Sequence, residues 1–140
     1  MIHIAPYQKV ELMNPIVLAY VGDAVLEMYV RQLVVSRPNL KPNDLHRATT
    51  RYVSAKGQAM ALKVIEPILS EDEANVVRRG RNAKSGSAPK NADVLDYRHS
   101  TGFESLLGYL YYKGEQERLL EILDAFRQVL DNDATPTKEK

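Results

Sequence analysis

The chain has 140 residues, 44% of them apolar, which is one domain's length with enough hydrophobic material to bury a core. Its 19 Lys and Arg against 18 Asp and Glu give a formal net charge of +1, which excludes a histone-like polycation and a highly acidic solvating chain while leaving room for a local basic patch. With no Cys, disulfide frameworks, thiolate zinc sites, iron–sulfur clusters and cysteine nucleophiles are excluded.

The longest apolar run, residues 16–21, falls far short of the ~20 residues that a membrane span needs. The start Met-Ile-His-Ile-Ala-Pro-Tyr lacks the charged start and apolar stretch of a secretion signal. A soluble, compact protein of the cytoplasm is expected. Apolar spacing is helical almost throughout, and no strand is predicted. Asn14-Pro15 starts a first helix over 16–34, with Asn as cap and Pro in the first turn. That helix is apolar over much of its circumference and reads as a buried central one. Pro42-Asn43 starts a second, with Leu45, Ala48, Tyr52 and Val53 as its stripe. A third, over 54–65, turns Ala59, Leu62 and Val64 or Ile65 inward, and the two could form one bent rod. Ser70-Glu71-Asp72-Glu73 fits a capping box. The helix it opens reaches Gly80, and residues 80–89 read as a Gly/Pro/Ser-rich loop. Helix resumes between 92 and 101 and stops at Gly114, a last helix covers 116–130, and residues 133–140 form a polar tail.

The informative string is Leu18-Ala19-Tyr20-Val21-Gly22-Asp23-Ala24-Val25-Leu26. A carboxylate inside an apolar helix is costly to bury alone. Either Asp23 sits at the rim of the core, paired with an Arg or capping a neighbour, or it does chemistry. Gly22 costs up to about 1 kcal/mol in a helix interior, which close packing of another backbone would explain.

Gly-Asp-Ala-Val-Leu after aromatic and apolar residues resembles the signature helix of the ribonuclease III family. Leu45-His46-Arg47-Ala48-Thr49-Thr50-Arg51-Tyr52-Val53-Ser54 resembles that family's following helix, and Phe103-Glu104-Ser105-Leu106-Leu107-Gly108-Tyr109-Leu110-Tyr111 its second signature. The likeness runs over about 14–130 and is nearest to the compact bacterial branch made of the catalytic domain alone. It implies an all-α endonuclease-domain fold over 1–132, working as a symmetric homodimer. It also implies an endoribonuclease for double-stranded RNA whose products carry 5′-phosphates and short 3′ overhangs. A role in maturing the ends of large-subunit (23S) ribosomal RNA precursor follows from the branch, with a large-subunit ribosomal protein as a further partner and no membrane.

The family holds Mg²⁺ with four carboxylates per subunit. Asp23 and Glu104 match two of them, while Ala19 and Thr101 stand where the other two would be. Each retained acid has lost its neighbour one turn upstream. Mg²⁺ tolerates one or two carboxylates plus waters and substrate oxygens, so Asp23 and Glu104 remain the expected catalytic and metal-binding residues. Glu104 also fits a capping box reaching back to Thr101. Glu27, one turn after Asp23, either replaces a missing acid or pairs with Arg31. His46 and His99 have no paired-ligand spacing and read as structural or RNA-proximal.

Residues 78–92 carry Arg78, Arg79, Arg81, Lys84 and Lys90 with no acid, a local +5. That is either a solvated loop or the RNA-facing patch, which would follow the A-form backbone. For the dimer, Ala19, Gly22 and Ala24 suit close packing across a two-fold axis, as an intrachain core helix would too. Tyr109, Tyr111 and Tyr112 suit an interface or a half-buried core equally. Two rivals stand beside the nuclease: a non-catalytic, ribosome-associated RNA-binding protein on the same fold, and a helical protein–protein adaptor.

Overall fold

The computed structural model describes residues 3–83 and 93–133, and within these the protein is built of helices without strands. A 3-10 turn at Val10–Leu12 precedes α1 (Pro15–Val35), α2 (Pro42–Val53) and α3 (Ala55–Ile65). A second 3-10 turn at Glu66–Ile68 leads into α4 (Glu71–Asn82), followed by α5 (Val94–Lys113) and α6 (Gln116–Asn132). The all-α expectation is met.

Local chemistry sets the helix ends. The Asn14 side chain accepts from the Ile16 N–H at 2.8 Å, and Pro15 occupies the first turn. Both halves of the Ser70–Glu73 capping box form. Asp93 caps α5 by accepting from the Leu95 and Asp96 amides, and Gly114 closes it in the left-handed conformation at φ 73°. Ser54 divides the expected bent rod into two helices. Its extended backbone (ψ 154°) ends α2, and its hydroxyl accepts from the Gly57 N–H at 3.1 Å to start α3. The inward face of α3 is Gln58, Ala61, Leu62 and Ile65, spaced as one helical stripe, whereas Val64 is exposed.

The central helix is α5, not α1. Every residue from 100 to 110 except Glu104 is buried, and α1, α3, α4 and α6 pack around it. Phe103 of α5 stacks on Phe126 of α6 with ring centroids 5.2 Å apart. By contrast α1 buries Leu18, Leu26 and Val30 but exposes Val17, Tyr20 and Met28. Its apolar circumference reflects two faces with different uses rather than complete burial.

Backbone meets backbone where α1 crosses α5. A Cβ added to Gly22 would lie 1.7 Å from the Glu104 carbonyl oxygen, and one added to Gly108 would lie 2.1 Å from that of Leu18. The second crossing, α4 on α5, uses Gly80 and Gly102: a Cβ on Gly102 would lie 2.7 Å from the Val77 carbonyl oxygen. Gly80 is therefore a packing residue inside α4. The helix runs on to Asn82, so the loop expected from residue 80 begins later, and most of it, with Lys84 and Lys90, lies outside the described residues. Of the expected tail only Asp133 is described.

Side-chain ties join distant elements. Arg118 of α6 donates from Nε and Nη2 to the two Glu73 oxygens at 2.8 Å each and from Nη2 to the Ile68 carbonyl at 2.7 Å. The hydroxyl of the fully buried Tyr52 donates to Asp131 at 2.6 Å and accepts from Arg37.

Candidate active site

The α1–α5 crossing brings the two sequence-distant acids together. Glu104 contributes the carbonyl that Gly22 faces, and Asp23 is the next residue along α1. Any side chain at position 22 would push the helices apart and the acids with them. The two carboxyl groups are close enough for each to feel the other's charge. Asp23 is exposed, while Glu104 is half-buried among the core residues of α5.

Two acids in contact repel when both are ionised. Desolvation pushes the Glu104 carboxyl well above the ordinary carboxylate range. The N–H of Gln58 opposes that rise, and the neighbouring Asp23 charge adds to it. Among the described residues no Lys or Arg forms an ion pair with either acid. Among the described residues, then, no arginine neutralises Asp23 as it would a rim Asp, and the pair is left to hold a proton or to take up a cation. Two hard oxygen donors open to water on the Asp23 side suit a hydrated divalent cation. Among the described residues no group of three or more His, Cys, Asp or Glu is placed to hold a metal.

The positions of the absent family acids are closed. Ala19 is buried, and the buried Thr101 donates its hydroxyl to the Tyr97 carbonyl at 3.1 Å. Thr101 lies in the middle of α5, whose cap is Asp93, so the alternative capping role of Glu104 is overturned. Glu27 accepts from Arg31 Nε at 2.8 Å, the ordinary helix ion pair, one of its two expected readings. His46 is exposed on α2 and His99 half-buried on α5.

Gln58 was missed by the sequence reasoning. It is 2% exposed, and its Nε2 donates to Glu104 Oε2 and to the Val53 carbonyl, both at 2.9 Å. A signal existed: Gln58, Leu62 and Ile65 share one helix face, so the inward stripe of α3 includes a polar residue that needs a partner.

Of the basic residues, Arg78 is exposed on α4. Arg79 donates to the Met13 carbonyl at 3.1 Å, and Arg81 lies 3.8 Å from Glu66, so both also brace the fold. The small residues Ala19 and Gly22 are buried within the chain. The exposed side of α1 carries instead a stripe of Val17, Tyr20, Ala24 and Met28, at three- and four-residue steps. Tyr109 is buried, whereas Tyr111 and Tyr112 are half-buried beside each other and His3.

Comparison with known proteins gives a consistent picture. The Ribonuclease III domain family matches residues 16–115. A Mini-ribonuclease 3 of Brevibacillus brevis is 51% identical over 123 residues, covering 88% of this chain and 92% of that protein. One from Symbiobacterium thermophilum is 53% identical over 79% of this chain and 85% of its own length. A third, from Staphylococcus aureus, is 44% identical over 82% and 87%. The crystal structure of a Fusobacterium nucleatum protein superposes with a TM-score of 0.77 at 24% identity, covering 85% of this chain and 95% of that one, and shares the fold.

Proposed function

The chain belongs to the ribonuclease III family of endoribonucleases, and from that premise we propose that it cuts double-stranded RNA with Mg²⁺ held by Asp23 and Glu104. The observation that supports this most is the meeting of two acids with which no Lys or Arg among the described residues forms an ion pair. Bound there, Mg²⁺ supplies a water of lowered pKa and a Lewis acid at the phosphate. Asp23 presents its carboxylate from the solvent side, where the scissile phosphate arrives. Glu104 presents its own from the protein side, and the Gln58 N–H holds one of its oxygens. The raised affinity of Glu104 for a proton makes that proton the competitor which the cation must displace, so cation affinity rises with pH.

Arg78, Arg79, Arg81, Lys84 and Lys90 hold the phosphates of the duplex in this reading. The support is the concentration of +5 in a chain whose total is +1. Two copies act together, one per strand, joined through the Val17, Tyr20, Ala24 and Met28 stripe. That support is the exposure of an apolar helix face with no element among the described residues over it. The substrate is the end region of 23S ribosomal RNA precursor, with a large-subunit ribosomal protein assisting. The likeness to the compact relatives supports this step.

Cleavage of a long RNA duplex by the wild type, Asp23→Asn and Glu104→Gln, with and without Mg²⁺, tests the metal reading. Cutting by the wild type alone, and only with the cation, is expected. Duplex binding without cutting by all three would return the non-catalytic alternative. A solution mass of two chains, reduced to one by Tyr20→Glu, tests the dimer. Accumulation of unprocessed precursor ends in a strain lacking the protein tests the target.

A further inference from the structure

Gln58 stands out among the buried polar groups because its amide is only half satisfied. Both Nε2 protons are used, on the Val53 carbonyl and on Glu104 Oε2, while Oε1 is buried with no partner among the described residues. An unsatisfied buried acceptor costs about 1–3 kcal/mol. Flipping the amide is no remedy, since it would aim Oε1 at a carbonyl and a carboxylate, two acceptors. Orientation of the amide is therefore set by what the N–H groups must reach.

The two bonds serve different ends. Val53 is the last residue of α2, and its carbonyl is one of those a helix leaves unpaired at its C-terminus. That bond is structural. The other reaches across from α3 to a single oxygen of an acid on α5 that already faces another acid. Nothing in the packing of the core requires a glutamate at 104 or a donor beside it; an apolar pair of similar volume would leave no orphaned oxygen.

We infer that Gln58 is a positioning residue for the cation site: its N–H fixes Glu104 Oε2 so that the remaining oxygen and Asp23 converge on a divalent ion. This rests on the reading of Asp23 and Glu104 as metal ligands. Partners behind a ligand carboxylate set its orientation, and losing one typically weakens metal affinity about 10–100-fold.

The test uses the full chain without RNA and follows its melting temperature against MgCl₂, since an ion that binds the folded state raises Tm by an amount set by the logarithm of its concentration relative to its dissociation constant. The wild type is expected to be stabilised and Asp23→Asn not. Gln58→Met keeps the volume but loses the donor. It is expected to need about 10-fold more Mg²⁺ or beyond for the same rise, while its affinity for duplex RNA in EDTA stays that of the wild type. Gln58→Asn, an amide one methylene shorter, gives the same reading should the Met variant fail to fold. In a Glu104→Gln background, adding Gln58→Met is expected to lower Tm through the lost Val53 bond without changing the Mg²⁺ response further. A wild-type Mg²⁺ dependence in Gln58→Met or Gln58→Asn overturns the role of Gln58 alone. No Mg²⁺ stabilisation of the wild type takes the metal reading down, and this inference with it.

Discussion

Glu73 on α4 and Glu104 on α5 both carry a carboxylate into the body of the protein, in opposite company. Glu73 receives a two-pronged guanidinium from Arg118 and the Ser70 N–H, and the Arg118 bonds hold its carboxyl below the ordinary range. Glu104 receives one neutral N–H, loses its water to burial, and faces a second acid, so its carboxyl is pushed the other way. One site is internally neutral and needs nothing more. At the other no cation among the described residues meets the charge, which is the basis for proposing a ligand there. Within one small helical domain, electrostatic completeness separates the acid that braces the fold from the acid proposed to take a ligand.

That contrast can be broken at several points. The largest expected effect is on catalysis: Asp23→Asn or Glu104→Gln should each lower duplex cleavage at saturating Mg²⁺ by about 10²–10³-fold, the scale of losing one electrostatic group at a reacting centre. Circular dichroism should stay that of the wild type, and a variant with near-normal turnover would erase the distinction. Next comes Gly22→Ala, whose methyl would fall on the Glu104 carbonyl. Urea denaturation is expected to show a loss of about 3 kcal/mol, together with loss of cleavage in the protein that remains folded. Arg118→Ala should cost about 2 kcal/mol, below the usual figure for a broken buried pair because Arg118 is 27% exposed. Its cleavage rate below the melting range should match the wild type.

The smallest effects are the pH slopes of the metal-free protein. Glu104 binds its proton more tightly folded than unfolded, so stability should fall as pH rises above its ordinary value of 4.5, and Glu104→Gln should remove that slope. Glu73 binds its proton less tightly folded, so its contribution is present above 4.5 and fades as pH drops through its lowered value. Glu73→Gln should flatten that acid limb alone. Slopes of the same sign would contradict the opposite environments assigned to the two residues.

Much of this was legible in the residues. Caps at Asn14, Ser70 and Gly114 depend on neighbours within a few positions, so local sequence suffices to read them. Asp23 could be nominated because an acid in an apolar helix demands a reason, whereas Glu104 on its own reads as a cap and is nominated only through the resemblance of Phe103-Glu104-Ser105-Leu106-Leu107-Gly108 to the family's second signature. What escaped was whatever depends on a partner far along the chain. Gly80 looks like loop punctuation until Gly102 and Ser105 are brought against it. The first helix looks central by composition, and only the burial of residues 100–110 shows that α5 has that place. Gln58 becomes part of the site through Glu104, 46 positions away; the helical stripe of α3 signals that it needs a partner but not which one.

The glycine crossings have a consequence for how the molecule tolerates change. Gly22 and Gly108 let α1 and α5 touch main chain to main chain, and Gly80 and Gly102 do the same on the α4 side. The helix bearing Glu104 is thereby clamped between two rigid rods, main chain against main chain on the α1 side and with only the short Ser105 and Val77 side chains beside the contact on the α4 side. Peripheral layers such as Leu119 and Leu130 can drift in sequence without shifting this datum, because the jig that sets it is mostly backbone. Alignment of the reacting groups is thus insulated from evolution in the outer core, and it is exposed to any methyl group that arrives at the four clamping positions.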